Sequence, residues 1–293
     1  MMSAKNTGQS HMNTGHFRGF EVKVEEPGIA WIRFNEPEKL NGMHAGKKRD
    51  LIETLTQAQM DNDIRVVVFT GEGRGFCAGD DLKAYASTPS EGETLVPAIS
   101  PGHDSPIGTY NGLRHISQAL NLSIRRLDKV CIAAINGVAI QTGLSLALAC
   151  DFKLAAESAR LGSATLRFGL LPDEGGHFLL IQHIGLAQTM DFVMRKKIVS
   201  ASQALELGLV NEVVADENLE ARARELALEL AHGPQVSMRL MKRSLYAAAE
   251  LSFEQACEDI ASKTAISDHH PDTREGVSAF HEKRQPKFNE WLD

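Results

Sequence analysis

Apolar runs alternate with segments of helical spacing over the first two-thirds of the chain. Residues 28–35 predict a strand, residues 47–60 carry apolar side chains at helical spacing, and residues 64–70 predict a second strand. A strand–helix–strand order of this kind is typical of a largely parallel sheet that is covered by helices. The opening of the chain therefore predicts an α/β fold.

The pattern continues to about residue 200 and then changes. Residues 85–108 are rich in Ser, Thr, Gly and Pro and predict a long loop that could cover an active site. Beyond it the pattern predicts alternating helices and strands, at residues 113–127, 130–135, 144–149, 150–156 and 177–183. From Ser202 onward helices are predicted almost throughout, at residues 202–209, 217–232, 234–251, 253–267 and 273–283.

Composition excludes several classes of protein. The net charge of −7 and the pI near 5.9 disfavour a nucleic-acid-binding protein, and no apolar run is long enough to cross a membrane. The four cysteines form no CxxC pair, so the sequence predicts neither a metal site nor disulfides. It predicts buried thiols in a reducing, cytoplasmic compartment. Residues 1–17 are polar and predict a disordered arm or a cloning remnant.

Two glycine turns carry the candidate chemistry. Residues 75–82 form a tight turn just after the strand at 64–70, and residues 136–143 form another after the strand at 130–135. Such turns aim backbone N–H groups into a pocket, and two converging amides make an oxyanion hole. Each turn alone is also compatible with a plain connection between a strand and a helix.

Five separated segments resemble, in order, those of the enoyl-CoA hydratase/isomerase, or crotonase, superfamily, and the match runs from about residue 20 to the end. They are residues 71–82, 134–139, 146–151, 202–211 and 275–288. The resemblance implies an α/β spiral of ββα units over residues 18–200, with a helical region at 201–293 for trimerisation and for completing the coenzyme A site. It also implies a homotrimer or a dimer of trimers, and an acyl-CoA thioester substrate with no permanently bound cofactor.

The resemblance also suggests roles for individual residues. By position, the N–H groups of Ala78 and Thr142 would hold the thioester oxygen as it becomes an enolate. Family hydratases use two glutamates to hold water, and the matching positions here are Ser145 and Thr165. Neither side chain is a useful acid or base near neutral pH.

Asp173 is the preferred base for moving a proton between the α and γ carbons of an enoyl chain, because one carboxylate that takes and returns a proton suffices. Glu174 is the second candidate. Both could instead be carboxylates that cap the helix predicted after them.

For the coenzyme A path, the resemblance points to residues near the first turn and to terminal residues that reach a neighbouring subunit's coenzyme. The former are Leu40, Asn41, Cys77, Asp81 and Leu82, and the latter are Phe280 and Lys283. Asp81 could instead cap its own loop, Cys77 could be a small filler, Lys283 could be a solvated surface residue and Phe280 a core residue.

Double-bond isomerisation is thus the leading hypothesis. A hydratase or hydrolase that uses another acid, such as Glu174 or Asp80, is the first alternative. A non-catalytic coenzyme A-binding or scaffold protein is the second.

Overall fold

The computed structural model describes residues 10–81, 92–97 and 104–292. These residues form eleven strands: β1 (Gly15–Phe17), β2 (Phe20–Glu25), β3 (Ile29–Phe34), β4 (Val66–Gly71), β5 (Gly75–Cys77), β6 (Val130–Ile135), β7 (Val138–Ile140), β8 (Phe152–Ala156), β9 (Arg160–Gly162), β10 (Ile198–Ser200) and β11 (Glu212–Val214).

Ten α-helices occur in the same described ranges: α1 (Ala45–Met60), α2 (Pro106–Gly112), α3 (Gln118–Arg126), α4 (Thr142–Ala149), α5 (Gly176–Met194), α6 (Ala201–Leu207), α7 (Leu219–Ala231), α8 (Gln235–Ala248), α9 (Phe253–Asp268) and α10 (Pro271–Glu282). A π-helical turn, Leu113–Ser117, joins α2 to α3.

Two sheets organise the chain into a spiral. The larger has seven strands in the order β1-β2-β3-β4-β6-β8-β11, and the smaller has four in the order β10-β9-β7-β5. From β4 onward, a strand of the larger sheet is followed by a short strand of the smaller one and then by helix, three times in succession. The predicted α/β spiral of ββα units is therefore confirmed.

The core lies between the sheets and the helices that cover them. Strands β4 and β6 are buried at every position and pair in parallel, which explains why they read as unbroken apolar runs. Helix α7 adds Ala223, Ala227 and Ala231 to this core. Among the described residues, α8, α9 and α10 add none. The contribution of the helices to this core thus ends at Ala231.

Several sequence-based predictions need correction. Residues 10–17 are not a disordered arm, because Asp61 Oδ2 accepts hydrogen bonds from Ser10, His11 and Met12, and β1 pairs with β2. The predicted loop at 85–108 ends at Pro106, where α2 begins, and its residues 85–91 and 98–103 lie outside the described residues.

The helix predicted at 177–183 corresponds to the first part of α5, which the non-helical backbone of Gly185 divides into two helical parts. Between the helices predicted at 202–209 and 217–232, β11 adds a parallel strand to the larger sheet beside β8, which was not predicted.

A buried polar cluster docks α8 on the spiral. Lys242 Nζ lies 2.7 Å from Asp151 Oδ2 and donates to the Lys129 carbonyl, and Tyr246 donates to Asp151 Oδ1 at 2.8 Å. Asp151 Oδ2 also accepts from the N–H of Cys131. The Lys242 side chain is almost fully buried, so its ammonium depends on Asp151 for neutralisation.

We therefore expect Asp151→Ala to lower the free energy of unfolding by about 3–5 kcal/mol, because it leaves a buried ammonium without its partner. Urea denaturation followed by circular dichroism measures this loss. Asp191→Ala is the matched control, since Asp191 pairs with Arg195 and Lys197 at the surface, where ion pairs contribute little. Equal effects of the two substitutions would contradict the account.

Candidate active site

The two glycine turns predicted from the sequence lie side by side. Strands β5 and β7 are parallel neighbours in the smaller sheet, so the turns that follow them leave the same edge. Their backbones touch: a Cβ on Gly143 would lie 2.0 Å from the Cys77 carbonyl oxygen. Only glycine allows this approach, and the contact fixes the first turn against the start of α4.

The first turn offers a different amide from the one predicted. The N–H of Ala78 donates to the Leu40 carbonyl at 3.0 Å and is therefore already used. The N–H of Asp81 donates to Met43, and Met43 in turn donates to the Gly79 carbonyl. Because successive N–H groups of an extended segment point to opposite sides, the N–H of Asp80 points away from Met43. Because the Ala78 N–H is already bonded, Asp80 is a better candidate donor in this turn than Ala78.

The second turn offers the amide of Thr142. Thr142 is the first residue of α4, so its N–H has no acceptor within that helix. The positive end of the helix dipole adds to the attraction for an anion at this point. Asp80 and Thr142 are in direct contact through their side chains, with Thr142 Oγ1 2.7 Å from Asp80 Oδ1.

A chain of polar contacts runs from solvent into the interior through these residues. Lys48 Nζ donates to Asp80 Oδ2 and to Ser117 Oγ, each at 2.8 Å. Thr142 Oγ1, beyond Asp80, also contacts Glu174 Oε1 at 2.5 Å. Glu174 is 4% exposed, whereas the Asp80 side chain is 44% exposed. Glu174 is thus the buried end of this chain.

Gln141 holds the other oxygen of Glu174. Its Nε2 donates to Glu174 Oε2 at 3.2 Å, and its Oε1 accepts from Ser163 and Thr165, each at 3.0 Å. Gln141 adopts a left-handed backbone conformation, with φ 48°, immediately before α4. Hydrogen bonds therefore hold both the nitrogen and the oxygen of its carboxamide. Thr165 is one of the residues that donate to the oxygen.

Asp173 lies beside this chain and is half-buried. Burial, together with the nearby carboxyl groups of Glu174 and Asp80, raises the pKa of Asp173 to about 6. Neither Asp173 nor Glu174 caps the following helix, since Gly175 is its N-cap and no side chain bonds there. The helix-cap interpretation of this acidic pair is therefore wrong.

Two residues on α3 hold the segment that carries the acids. Gln118 donates to the Asp173 carbonyl and Asn121 to the Glu174 carbonyl, each at 2.9 Å. Neither residue was predicted from the sequence to belong to the site. Their spacing of three residues within a predicted helix was the available signal, because it places two amides on one helix face.

Comparison with known proteins identifies the fold and the family. A family model described as enoyl-CoA hydratase/isomerase matches residues 24–291. The chain belongs to the enoyl-CoA hydratase/isomerase family.

One relative, 1,2-epoxyphenylacetyl-CoA isomerase of Escherichia coli strain K12, is 35% identical over 92% of this chain and 98% of its own length. A "Probable enoyl-CoA hydratase" of Rhodobacter capsulatus is 33% identical over 89% of this chain and 94% of its own. The crystal structure of an enoyl-CoA hydratase from Bacillus anthracis superposes with a TM-score of 0.83 at 29% identity, covering 92% and 98% of the two chains.

Within this enoyl-CoA hydratase/isomerase chain, the positions matched to the hydratase glutamates hold hydroxyl groups. Ser145 is buried on α4, where a Cβ on Gly176 would lie 2.3 Å from its Oγ. Thr165 is bonded to Gln141. The acids that this site does provide are Asp80, Asp173 and Glu174.

The residues predicted to line the coenzyme A path lie in different environments. Asn41 is fully buried and its side chain bonds the backbone of Glu36, Glu72 and Gly75, so its role is to brace the turn. Cys77 is fully buried too, and burial raises the pKa of its thiol to about 11, which indicates a filler.

Leu40 supplies the carbonyl that holds Ala78, and the backbone N–H of Asp81 bonds Met43. Leu82 lies outside the described residues. The coenzyme contacts of Leu40, Asp81 and Leu82 stay predictions.

The terminal residues are exposed on the last α-helix. Phe280 is 81% exposed on α10, and Lys283 is exposed at the end of the same helix. Phe280 is therefore not a core residue. Their contact with a neighbouring subunit's coenzyme stays a prediction. No helix of the described part of the chain has the length and apolar character needed to cross a membrane.

Proposed function

We propose that this member of the family shifts the double bond of an enoyl-CoA thioester, with Asp173 as the proton shuttle and the amides of Asp80 and Thr142 as the oxyanion hole. The observation that carries the proposal is Asp173 itself. It is a half-buried carboxyl with its pKa raised to about 6, next to two turns that present backbone donors. A general base works best when its pKa lies near the working pH, and active sites are where such shifts concentrate.

The reaction needs only these groups. The Asp173 carboxylate removes a proton from the α carbon of a 3-enoyl thioester, and the electron pair moves into a dienolate with its charge on the thioester oxygen. Fixed amides stabilise that oxygen without reorganising, and each such donor contributes about 2.7–4 kcal/mol to the transition state. Protonated Asp173 then returns the proton to the γ carbon, which leaves the 2-enoyl thioester. No atom is gained or lost.

Hydration is the second candidate, because relatives such as the Rhodobacter capsulatus protein carry that name. It would require one of the remaining acids to hold a water. The perturbed pKa of Asp173 argues against the third candidate, a scaffold protein that has lost its catalytic acids.

Product analysis tests the proposal. The protein is incubated with short 3-enoyl-CoA and 2-enoyl-CoA thioesters, and product masses and the absorbance of the conjugated enoyl group are recorded. We expect conjugation to appear or disappear with no change in mass. Gain of one water would favour hydration, release of free coenzyme A would favour hydrolysis, and binding without turnover would favour the scaffold.

The pH dependence of kcat/KM follows from the same carboxyl. Asp173 must be ionised to remove a proton, so kcat/KM should fall about tenfold per pH unit below a midpoint near 6 and level off above it. Initial rates of isomerisation across this pH range measure the profile. A profile that stays flat through pH 6 would contradict the assignment of Asp173 as the base.

A further inference from the structure

The hydroxyl of Thr142 lies within hydrogen-bond distance of two carboxyl groups, those of Asp80 and Glu174. If both carboxyls are ionised, the two hydrogen bonds have only one proton between them. The Thr142 hydroxyl touches Asp80 Oδ1 at 2.7 Å and Glu174 Oε1 at 2.5 Å. A hydroxyl has one proton to donate, and an ionised carboxylate has none. One of the two contacts must therefore be donated by a carboxylic acid, since two acceptors at this distance repel each other.

The surroundings decide which carboxyl carries that proton. Asp80 is open to solvent and pairs with the Lys48 ammonium at 2.8 Å, which favours its ionised form. Glu174 is almost fully buried, and the group on its other oxygen is the neutral carboxamide of Gln141. A buried carboxyl with only neutral hydrogen-bond partners is most stable uncharged.

We propose that Glu174 carries this proton and donates it to Thr142, and that Glu174 is a positioning residue that ties the Asp173 segment to the oxyanion turn. Thr142 then donates to Asp80, and Asp80 accepts from Lys48, so each contact in the chain has one donor and one acceptor.

The segment that bears Asp173 packs directly on α4, because a Cβ on Gly176 would lie 2.3 Å from Ser145 Oγ. Glu174 adds the polar link between that segment and Thr142. This role rests on the proposed function, in which Asp173 and the Thr142 amide act on the same substrate, and it makes Asp173 rather than Glu174 the base.

Substitution of Glu174 shows whether its side chain acts as a neutral hydrogen-bonding group or must carry a charge. In Glu174→Gln the carboxamide can donate to Thr142 and accept from Gln141, so we expect kcat to fall only a few-fold. In Glu174→Ala both contacts are lost, and kcat should fall roughly tenfold to a hundredfold, the effect of leaving buried polar groups unsatisfied. Glu157→Gln, on an exposed glutamate, is the control. Equal losses in the Gln and Ala variants would overturn the proposal.

Thr142 tests the link from its other end. Thr142→Ser keeps the hydroxyl, whereas Thr142→Val replaces it with a methyl group of similar size. We expect kcat of the Val variant to fall at least tenfold further than that of the Ser variant, because Glu174 and Asp80 both lose their partner. Equal kcat values in the two variants would contradict the link.

The pH midpoint gives a readout that a merely structural role would not move. The charged groups that act on Asp173 are Glu174, Asp80 and Lys48. If Glu174 is already neutral, only burial and the Asp80 charge raise the pKa of Asp173, so the native midpoint of kcat/KM lies somewhat below 6 and Glu174→Gln leaves it unchanged. If Glu174 is ionised, the substitution removes a negative charge beside Asp173 and the midpoint moves to lower pH, which would overturn the proposal.

Infrared spectroscopy tests the proton without any reaction. Above the pH at which Asp173 ionises, the spectrum of the native protein minus that of Glu174→Gln should contain the carbonyl stretch of a protonated carboxyl. Absence of that band would show that Glu174 is ionised. Because the unliganded protein is used, this outcome does not depend on the proposed isomerisation, whose failure would appear as no bond migration by the native enzyme.

Discussion

Asp173→Asn should lower kcat for double-bond migration by about 10²–10⁴-fold, the usual contribution of a positioned acid–base group. The carboxamide has nearly the shape of the carboxyl but cannot accept a proton from carbon. Gln118 holds the Asp173 backbone carbonyl, not its side chain, so the segment should keep its place. We therefore expect KM to change little while kcat falls, which is the pattern for a group that acts in the transition state.

Two controls sharpen this result. Glu157→Gln removes a carboxylate from an exposed turn and should leave both constants unchanged. The Glu174→Gln variant should lose far less activity than Asp173→Asn, because Glu174 supplies a hydrogen bond and not a base. If Asp173→Asn retained most of the native kcat while Glu174→Gln lost it, the roles assigned to the two acids would be reversed.

Gly143→Ala should have the second large effect, through the contact between the two turns. Its Cβ would lie 2.0 Å from the Cys77 carbonyl oxygen, and a backbone atom cannot move aside as a flexible side chain can. The first turn and the start of α4 must separate, which carries the amides of Asp80 and Thr142 apart. We expect kcat/KM to fall by about 10²–10³-fold, the range for loss of one oxyanion donor.

The matched control is Gly276→Ala on α10. There the added Cβ would approach only the ring of Phe288, at 3.3 Å, and Gly276 lies within an α-helix. This variant should keep native kcat/KM. Circular dichroism and urea denaturation of both variants show whether Gly143→Ala remains folded. A folded Gly143→Ala protein with native kcat/KM would mean that the spacing of the turns does not matter for catalysis.

The long elements could be predicted from the sequence because burial leaves a clear pattern. Strands β4 and β6 are buried on both faces and read as apolar runs, and α1 has helical spacing of its buried residues. Strands β5, β7, β9 and β10 have three residues each, too few for any period to show. Gly185 does interrupt α5, because its backbone dihedral angles, φ 72° and ψ 167°, are not helical.

The candidate site was predicted in part, for a similar reason. The acidic pair at 173–174 and the two turns are visible as residues in sequence. Which N–H of the first turn is available depends on Leu40, whose left-handed backbone brings its carbonyl to Ala78 from a distant part of the chain. The protonation of Glu174 depends on where Thr142 and Gln141 place their polar atoms. Both features depend on contacts between residues that are far apart in the chain, and such contacts produce no periodic or local pattern in the sequence.

Isotope exchange shows directly whether Asp173 moves a proton within an enoyl thioester. A 3-enoyl-CoA thioester is incubated in deuterated buffer with the native protein and with Asp173→Asn, and the products are analysed by mass spectrometry. With the native protein, we predict the conjugated 2-enoyl thioester, deuterium entering carbon on prolonged incubation, and no added water. With Asp173→Asn, we predict that bond migration and labelling are both slowed by about 10²–10⁴-fold. Addition of water by the native protein, or undiminished labelling by Asp173→Asn, would contradict the account.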